Sequence, residues 1–287
     1  MFADLHIHSW HSDGTFSPME IIETARRQNI SLISISDHNS IASYTEIENL
    51  RGVNDITIIP GVEVTSVMDN IEYHILAYGF DMQNKVLNDL LRYNRDINID
   101  EGKKLIERIA ADYPNVSSDE FLIYERNRKN GGWASIDYLM TKGLATDWQS
   151  YTEFVRKYAS PPEKEFLLPM DVIKAIHDAK GYAVLAHMCN YVKPDIAEYE
   201  REANQFYNMG IDGFECYYPK YNSELTEYLV KFCRERGLMI TAGSDEHGSF
   251  IGSAADRYIG AVKVNIEQLN LKNLINSSNE GDTKYGL

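Results

Sequence analysis

The sequence is poor in cysteine, proline and basic residues, and long apolar runs are missing. Its 287 residues include 3 cysteines, 8 prolines and 28 lysines and arginines, against 43 aspartates and glutamates. Cys189, Cys216 and Cys233 are scattered without a C-x-x-C spacing, which excludes a disulfide framework and a zinc–thiolate site. We expect three reduced packing residues, as is usual in a cytoplasmic protein.

Other absences restrict the setting in which the protein works. No stretch approaches the roughly 18 apolar residues of a membrane span, and Met1 leads directly into a predicted strand instead of a basic and then apolar leader. We therefore expect a cytoplasmic protein without membrane contact. The net charge of −15 makes stable nucleic-acid binding unexpected, because such binding needs a basic face. The sequence does not indicate an oligomeric state.

The N-terminus carries the first signal of a functional site. Phe2 to Ile7 reads as a short buried strand, and residues two apart on a strand point to the same side. His6 and His8 therefore project together where the strand ends, with the carboxylate of Asp13 five residues further on. This spacing is the start of a divalent-metal site. A buried, hydrogen-bonded histidine beside a surface one explains the pair alone equally well.

A repeated order of strand, polar cluster and helix predicts the fold class. Ser17 and Glu20 form a capping box that begins the first helix. Alternation of this kind favours a parallel sheet or barrel with helices outside, and barrel enzymes keep their active sites where the strands end. The further predicted strands are residues 31–36, 56–59, 73–78, 182–186, 211–217 and 238–242. We also predict a closing helix from Ile266 to about Asn276.

Strand signals vanish between residues 81 and 165, where helical stretches follow one another. We interpret residues 81–165 as a helical insertion into a barrel formed by residues 1–80 and 166–287. The insertion is either a packing subdomain or a substrate lid. Its cationic side chains are Arg92, Arg95, Arg126, Arg128, Lys129 and Lys142.

Six of the eight histidines lie at predicted strand ends, together with three carboxylates. The nine residues are His6, His8, Asp13, His38, Glu63, His74, His187, Asp245 and His247. So many ionisable groups at one mouth would repel or stay unpaired unless cations hold them, so a site for several metal ions is predicted. Nitrogen and oxygen ligands without thiolate suit zinc, manganese or iron. We take His177 as a solvated helix residue and His11 as a turn residue.

Five blocks of this sequence resemble the PHP (polymerase and histidinol phosphatase) superfamily. They are Asp4-Leu5-His6-Ile7-His8-Ser9 through Asp13-Gly14, Ser36-Asp37-His38-Asn39, Pro60-Gly61-Val62-Glu63, Leu185-Ala186-His187 and Gly243-Ser244-Asp245-Glu246-His247-Gly248. The resemblance implies a distorted (β/α)7 barrel, a trinuclear metal centre and phosphoester hydrolysis. It places the first metal on His6, His8, Glu63 and Asp245, the second on Asp13, His38 and His247, and the third on His74, His187 and the bridging Glu63.

The same resemblance implies a mechanism. A hydroxide that bridges two of two or three divalent ions would attack the phosphorus of a small phosphorylated substrate. That substrate would be a nucleotide or sugar phosphate, either a monoester or a cyclic diester. Asp245 is the candidate proton acceptor, and His11 is the nearby unligated candidate acid.

The family pattern also changes in this sequence. Met188 follows His187 where the family has proline, and Gly131-Gly132-Trp133 stands where nucleotide-acting relatives carry histidine. The ligands survive these changes, but the substrate does not carry over. Candidates for binding it are the cations Arg92, Arg95, Lys193 and Arg257 and the aromatic ring of Tyr217, although solvated surface charges and core packing explain each residue alone.

Four functions compete at this point. The first is a small-molecule phosphoesterase, and the alternative is a 5′–3′ exonuclease on short single strands, which would need a basic, aromatic-lined groove. A regulatory metal-binding module without activity and a metal-dependent amide or lactone hydrolase are the other two. The complete ligand set argues against an idle module.

Overall fold

The computed structural model describes residues 1–49, 55–160, 165–250 and 257–274. Its strands are β1 (Phe2–Ile7), β2 (Ile30–Ile35), β3 (Thr57–Ile58), β4 (Gly61–Met68), β5 (Ile71–Tyr78), β6 (Tyr182–Leu185), β7 (Gly213–Tyr217), β8 (Met239–Ala242) and β9 (Val264–Asn265). Its helices are α1 (Pro18–Arg27), α2 (Ala42–Ile47), α3 (Lys85–Asp112), α4 (Ser118–Leu122), α5 (Ala134–Thr141), α6 (Trp148–Tyr158), α7 (Pro169–Asp178), α8 (Ile196–Asn208) and α9 (Ser223–Arg236). Within these ranges no helix combines the length and the apolar character that crossing a bilayer requires.

The strands form two sheets, in the orders β3-β2-β1-β9 and β4-β5-β6-β7-β8. The pairs β1–β2, β2–β3, β6–β7 and β7–β8 are parallel. This confirms the predicted α/β class. In the described part of the chain, the two sheets are joined at the site edge by single bridges, Ile7 to Glu246 and His38 to Glu63, and they do not form one continuous closed sheet.

The expected all-parallel alternation is wrong around residues 61–78. There β4 and β5 form an antiparallel hairpin, and β5 also pairs antiparallel with β6. Asp69 and Asn70 form its tip with positive φ angles of 53° and 62°, which short polar side chains tolerate. As a consequence, Glu63 and His74 lie inside strands and not at their ends.

The core lies between the two sheets and under the helices. Leu5, Leu76, Val184 and Met239 come from four different strands and form one buried cluster in the interior. The helices pack on the outer faces. Leu229 of α9, for example, is fully buried in a second apolar cluster, which includes residues of the second sheet such as Phe214 and Ile240. The strand ends that carry polar residues are therefore held on a rigid, apolar base.

The helices α3 to α6 follow one another between residues 85 and 158 and share an apolar cluster of their own. The segment before α5 rests on the loop after β1, because the Gly132 N–H donates to the Asp13 carbonyl oxygen at 2.7 Å. Gly132 has a φ of 65°, and a Cβ there would lie 2.6 Å from the Phe250 ring. Residues 161–164, where the sequence predicts the end of the insertion, lie outside the described residues.

The predicted closing helix is also wrong. The chain from Val264 forms the short strand β9, antiparallel to β1, and then a single 3-10 turn at Ile266–Gln268. Asn270 then pairs its backbone with Ile240 of β8. The backbone of this segment pairs with β1 and β8, so it does not form the hydrogen bonds of a helix. Residues 275 and 276 of the predicted helix lie outside the described ranges.

Candidate metal centre

The end of β1 lies at the centre of the site because neighbouring loops bond to its backbone on both sides. The His8 N–H donates to the Glu246 carbonyl oxygen at 2.9 Å, and the Asp245 N–H donates to the His6 carbonyl oxygen at 2.8 Å. On the other side, the Ser36 N–H donates to the Ile7 carbonyl oxygen at 2.8 Å. These bonds bring the histidines that follow β2 and β8 to the end of β1.

The hairpin and β6 supply the opposite wall. The Asn39 N–H donates to the Glu63 carbonyl oxygen at 2.8 Å, which fixes β4 against the loop that carries His38. The Ala186 N–H donates to the His74 carbonyl oxygen at 3.1 Å, so His187 follows directly beside His74. Five separate segments of the chain thus contribute to one site.

Glu63 is fully buried at the centre of five imidazole rings. Its Oε2 lies 3.3 Å from His6 Nε2, 3.2 Å from His8 Nε2 and 3.2 Å from His38 Nδ1. Its Oε1 lies 3.0 Å from His74 Nδ1 and 2.9 Å from His187 Nε2. One carboxylate therefore connects most of the imidazoles of the cluster.

Asp13 and Asp245 connect the remaining ligands. Asp13 Oδ2 lies 3.3 Å from His247 Nε2, and Asp245 Oδ1 lies 3.3 Å from His8 Nε2. The rings of His8 and His247 stack with their centroids 4.0 Å apart. The structure thus brings all nine predicted ligands together. Their atoms fall into four overlapping groups within 4.8 Å: His8, Asp13, His38 and His247; His6, Glu63 and His187; His6, His8 and Asp245; and His38, Glu63 and His74.

Three buried ligand atoms test whether a cation fits this cluster. His8 Nδ1, Asp13 Oδ1 and Glu63 Oε2 have no hydrogen-bond partner. A buried polar atom without a partner costs about 1–3 kcal/mol, so groups of this kind are normally satisfied. All three point into the cluster of nitrogen and oxygen donors, and divalent cations bound there would satisfy them. The residues fit a site for divalent metal ions.

The electrostatics of the cluster favour ionised carboxylates. Burial would raise the pKa of Glu63, but the neighbouring His38 and His6 hold it well below its usual value. Burial opposes ionisation of Asp245 too, and His247 and His8 nevertheless keep its pKa well below the normal range. The carboxylates of the site are therefore available as anionic ligands at neutral pH.

The histidines differ according to their surroundings. Burial lowers the pKa of His38 to about 4, because the nearby carboxylates do not fully offset it. For His8, burial is outweighed by the close carboxylates of Asp245 and Glu63, which raise the pKa to about 9. For His74, burial is outweighed by Glu63 and Glu72, and the pKa rises to about 10. The carboxylates therefore favour positive charge at His8 and His74, whereas burial disfavours it at His38.

Two residues that support the cluster were not assigned a role from sequence. Glu215 accepts from His6 Nδ1 at 3.0 Å and from the His187 N–H at 2.8 Å. The Tyr191 hydroxyl oxygen accepts from the His74 N–H at 2.9 Å. Glu215 was detectable, since it is the only carboxylate within the apolar run of residues 213–218. The Tyr191 hydroxyl also lies 2.9 Å from His187 Nδ1, but its bond to the His74 backbone joins residues 117 positions apart, which local patterns do not reveal.

Of the other predicted site residues, one reaches the cluster and the rest lie elsewhere. Arg257 reaches the cluster, and its Nη1 lies 2.6 Å from Asp245 Oδ2. His11 points elsewhere, with its Nε2 2.8 Å from Glu46 Oε2. Arg92 pairs with Asp89 on the exposed face of α3. Arg95 donates to the Asn39 carbonyl oxygen, Lys193 is exposed, and Tyr217 packs against the core of the second sheet.

A cavity of about 1460 Å³ opens from the cluster toward α3, α5 and α6. Of the candidates for substrate binding, Arg257 lines it, whereas Arg92, Arg95, Lys193 and Tyr217 are absent from its described lining. The Trp133 ring lies with its centroid 5.8 Å from that of His38. Further aromatic and basic side chains in the wall are Trp148, Tyr151, Phe250, Lys104, Lys129 and Lys220.

The fold and this site together define a metal-dependent phosphoesterase. Residues 4–225 match the PHP domain family, and the chain belongs to that family. A 5′-3′ exoribonuclease of Haemophilus influenzae is 25% identical over 85% of this chain and 89% of its own length. A 3′,5′-nucleoside bisphosphate phosphatase of Chromobacterium violaceum is 23% identical over 85% of this chain and 86% of its own length.

A solved structure shares the fold. It is a protein of Bifidobacterium adolescentis, provisionally described as a metal-dependent phosphoesterase, with a TM-score of 0.70 and 23% identity. The alignment covers 96% of this chain and 94% of that one. The match of residues 4–225 to the PHP domain family confirms the family resemblance of the sequence and, with the phosphatase relative, the predicted enzyme class.

Proposed function

We propose that this protein hydrolyses a small phosphorylated substrate, a nucleotide or sugar phosphate, with two or three divalent metal ions. The single observation that carries the proposal is the buried cluster of nine nitrogen and oxygen ligands that opens into the large cavity. Divalent ions bound there would lower the pKa of water and neutralise charge on phosphate oxygens.

The ligand sets follow the family pattern. We propose His6, His8, Glu63 and Asp245 for the first ion, Asp13, His38 and His247 for the second, and His74, His187 and the bridging Glu63 for the third. The overlap of the four observed groups supports shared ligands and hence neighbouring ions. Zinc, manganese and iron all suit such ligands. Three divalent ions would exceed the charge of the three carboxylates, so a phosphate would be attracted into an otherwise acidic protein.

The surroundings of Asp245 do not suit it to act as a strong base. Its Oδ2 accepts from the Tyr218 hydroxyl at 2.9 Å and from the Arg257 guanidinium at 2.6 Å. These bonds and its low pKa make it a weak proton acceptor. We propose that Asp245 orients the attacking water and that Arg257, which faces the cavity, contacts the phosphate. The Nε2 atom of His11 is hydrogen-bonded to Glu46 and not to a residue of the cluster. We therefore assign His11 no step in the reaction.

The proposed substrate class is a nucleotide. Two tryptophans, Trp133 and Trp148, stand in the cavity wall, and aromatic rings are the usual stacking surface for bases. The two relatives named above act on an RNA and on a nucleoside bisphosphate, according to their names. Cavity, relatives and metal ligands thus support the same kind of substrate.

A second candidate is a 5′–3′ exonuclease on short single-stranded nucleic acid. The cavity exceeds the roughly 300–1,000 Å³ of ordinary small-molecule pockets, so it has room for more than one nucleotide. The net charge of −15 opposes an extended basic groove. We therefore place this activity second and limit it to short strands.

The architecture that we propose for this function is a distorted (β/α)7 barrel of residues 1–80 and 166–287, with residues 81–165 inserted. The bridges from Ile7 to Glu246 and from His38 to Glu63 support it, since they connect the two sheets on both sides of the site. Lys104 of α3 and Tyr151 of α6 line the cavity, which supports a role of the insertion in covering substrate.

One assay ranks the candidates. Protein loaded with manganese or zinc is incubated with p-nitrophenyl phosphate, a nucleoside bisphosphate, a cyclic phosphodiester, 5′-phosphorylated oligonucleotides of two to ten residues, and an amide and lactone set. Phosphate release from nucleoside phosphates without stepwise shortening of the oligonucleotides supports the first proposal. Stepwise release of mononucleotides supports the exonuclease. Hydrolysis of amides or lactones alone, or no turnover with metal bound, overturns both.

A further inference from the structure

Glu215 is a fully buried carboxylate behind the metal-ligand cluster and outside the cavity lining. It lies in β7, and none of the four ligand groups in the described chain includes it. A buried charge normally has a structural or functional partner, because desolvating it alone costs several kcal/mol. The partners of Glu215 are both predicted ligands.

The two oxygens of Glu215 bond to different ligands. Oε1 accepts from His6 Nδ1 at 3.0 Å, and Oε2 accepts from the His187 backbone N–H at 2.8 Å. A carboxylate at Nδ1 keeps the proton on that nitrogen, so the lone pair of His6 stays on Nε2. His6 Nε2 is the atom that lies 3.3 Å from Glu63 and faces the cluster.

The second bond controls the backbone of His187. His187 has a φ of 27°, a left-handed conformation that non-glycine residues rarely adopt. Such a conformation persists only where surrounding bonds hold it. The bond to Glu215 Oε2 holds it at the residue whose ring contacts Glu63 Oε1.

A glycine preserves the space for this arrangement. Gly243 lies at the end of β8, beside the His6–Glu215 pair, and a Cβ there would overlap both His6 Cβ and Glu215 Oε1. No positive φ is needed at this position, so the requirement is for room alone. The same segment then continues to Asp245, another ligand.

From these contacts we propose that Glu215 is a positioning residue that aligns His6 and His187 together and so couples the first and third metal positions. The inference rests on the metal site of the proposed function. It assigns no chemistry to Glu215 itself. A single buried carboxylate sets which nitrogen of one ligand faces the metal and fixes the backbone of another.

The test is Glu215→Gln, with zinc alone as the probe. The amide of glutamine fits only one of the two donors as an acceptor, so one of the two bonds is lost. We expect zinc affinity, measured by competition with a chelator, to fall about 10–100-fold, the usual cost of losing such a partner. In ¹⁵N-histidine spectra of the zinc-loaded protein, we expect the hydrogen-bonded Nδ1–H signal of His6 to shift or disappear. At saturating zinc, turnover should largely recover.

Two further variants make the result decisive. Gly243→Ala should lower zinc affinity in the same direction, because it crowds the His6–Glu215 pair. Glu202→Gln changes a buried glutamate on α8 whose partner, Tyr73, is on the opposite face of β5 from His74, and it should bind zinc like the wild type. The inference would be overturned if Glu215→Gln and Gly243→Ala both bind zinc within twofold of the wild-type affinity and differ from the wild type only in a lower thermal stability. Wild-type protein that binds zinc but hydrolyses no phosphoester would overturn the proposed function and leave this inference standing.

Discussion

Glu63 shows how a single residue depends on distant parts of the chain. Its carboxylate is within 3.3 Å of five histidines that come from β1, the loop after β2, β5 and the loop after β6. The nine candidate ligands that the structure brings together were all predicted, because ionisable residues next to apolar strands stand out in the sequence. The sequence did not predict the partners of His11 or Arg92, because exposed side chains are not constrained by burial.

Replacing one ligand should remove more than its own contact. For His38→Ala we expect bound metal, measured by elemental analysis, to fall below the wild-type ratio, and turnover to fall by more than about 100-fold, since even outer partners of ligands cost 10–100-fold. His177→Ala is the matched control, because His177 pairs with Asp212 on the surface of α7. Wild-type metal content and turnover in His38→Ala would contradict the assignment of His38.

Trp148 tests the substrate class at the same scale. Its ring is 43% exposed and stands in the cavity wall beside Tyr151 and Phe250. Stacking of one base on an aromatic ring is worth about 1–3 kcal/mol, so Trp148→Ala should raise KM for nucleotides by about 5- to 150-fold. KM for glycerol phosphate, which has no ring to stack, should not change.

The control for this variant is Tyr207→Ala, which removes an exposed ring on α8. An equal rise of KM for glycerol phosphate and nucleotides would argue against stacking at Trp148.

At the scale of elements, local chemistry predicted helices better than strand pairing. Helix α1 begins at the predicted capping box of Ser17 and Glu20, and helices follow one another through most of the predicted helical segment. The hairpin β4–β5 was missed because no strand was predicted over residues 61–68, where β4 lies. The short β9 was missed because its partner β1 lies at the other end of the chain. Helix periodicity is contained in one segment, whereas strand pairing is not.

The capping box of α1 makes a pH-dependent contribution to stability. Hydrogen bonds from the Ser17 N–H and hydroxyl, both 2.8 Å, lower the pKa of Glu20 below its ordinary value of 4.5. This stabilisation is complete above the unfolded-state pKa and is lost as the pH falls through the lower folded-state pKa. The difference in urea midpoint between the wild type and Glu20→Gln should therefore be constant near pH 7 and shrink toward about pH 3.

Glu23→Gln on the same helix is the comparison, since Glu23 is exposed there. If the difference for Glu20→Gln is the same at both ends of this pH range, the charged form of Glu20 does not contribute.

At the scale of the whole molecule, the helices α3 to α6 and the sheets meet at the site. Gly132 joins them through its bond to Asp13, and Phe250 lies in the apolar cluster of these helices. The sequence predicted the helical segment but not this contact. A pair of glycines indicates a turn, but it does not indicate which part of the chain the turn packs against.

Gly132→Ala should separate these parts. A side chain at a φ of 65° costs about 1–2 kcal/mol, and the overlap with the Phe250 ring adds to this cost. We therefore expect Gly132→Ala to lower the free energy of unfolding by more than about 1–2 kcal/mol and to weaken metal binding. Gly143→Ala is the control, because Gly143 has a φ of 69° but no atom within 4 Å of its Cβ position. Equal losses in both variants, with metal binding intact, would show that the contact does not support the site.

The central claim is tested most directly by anomalous diffraction from crystals soaked in manganese. The account predicts two or three peaks, each within coordination distance of nitrogen and oxygen atoms of the nine ligands, with Glu63 between neighbouring peaks. Crystals with fully occupied manganese elsewhere and no peak among these side chains would contradict it.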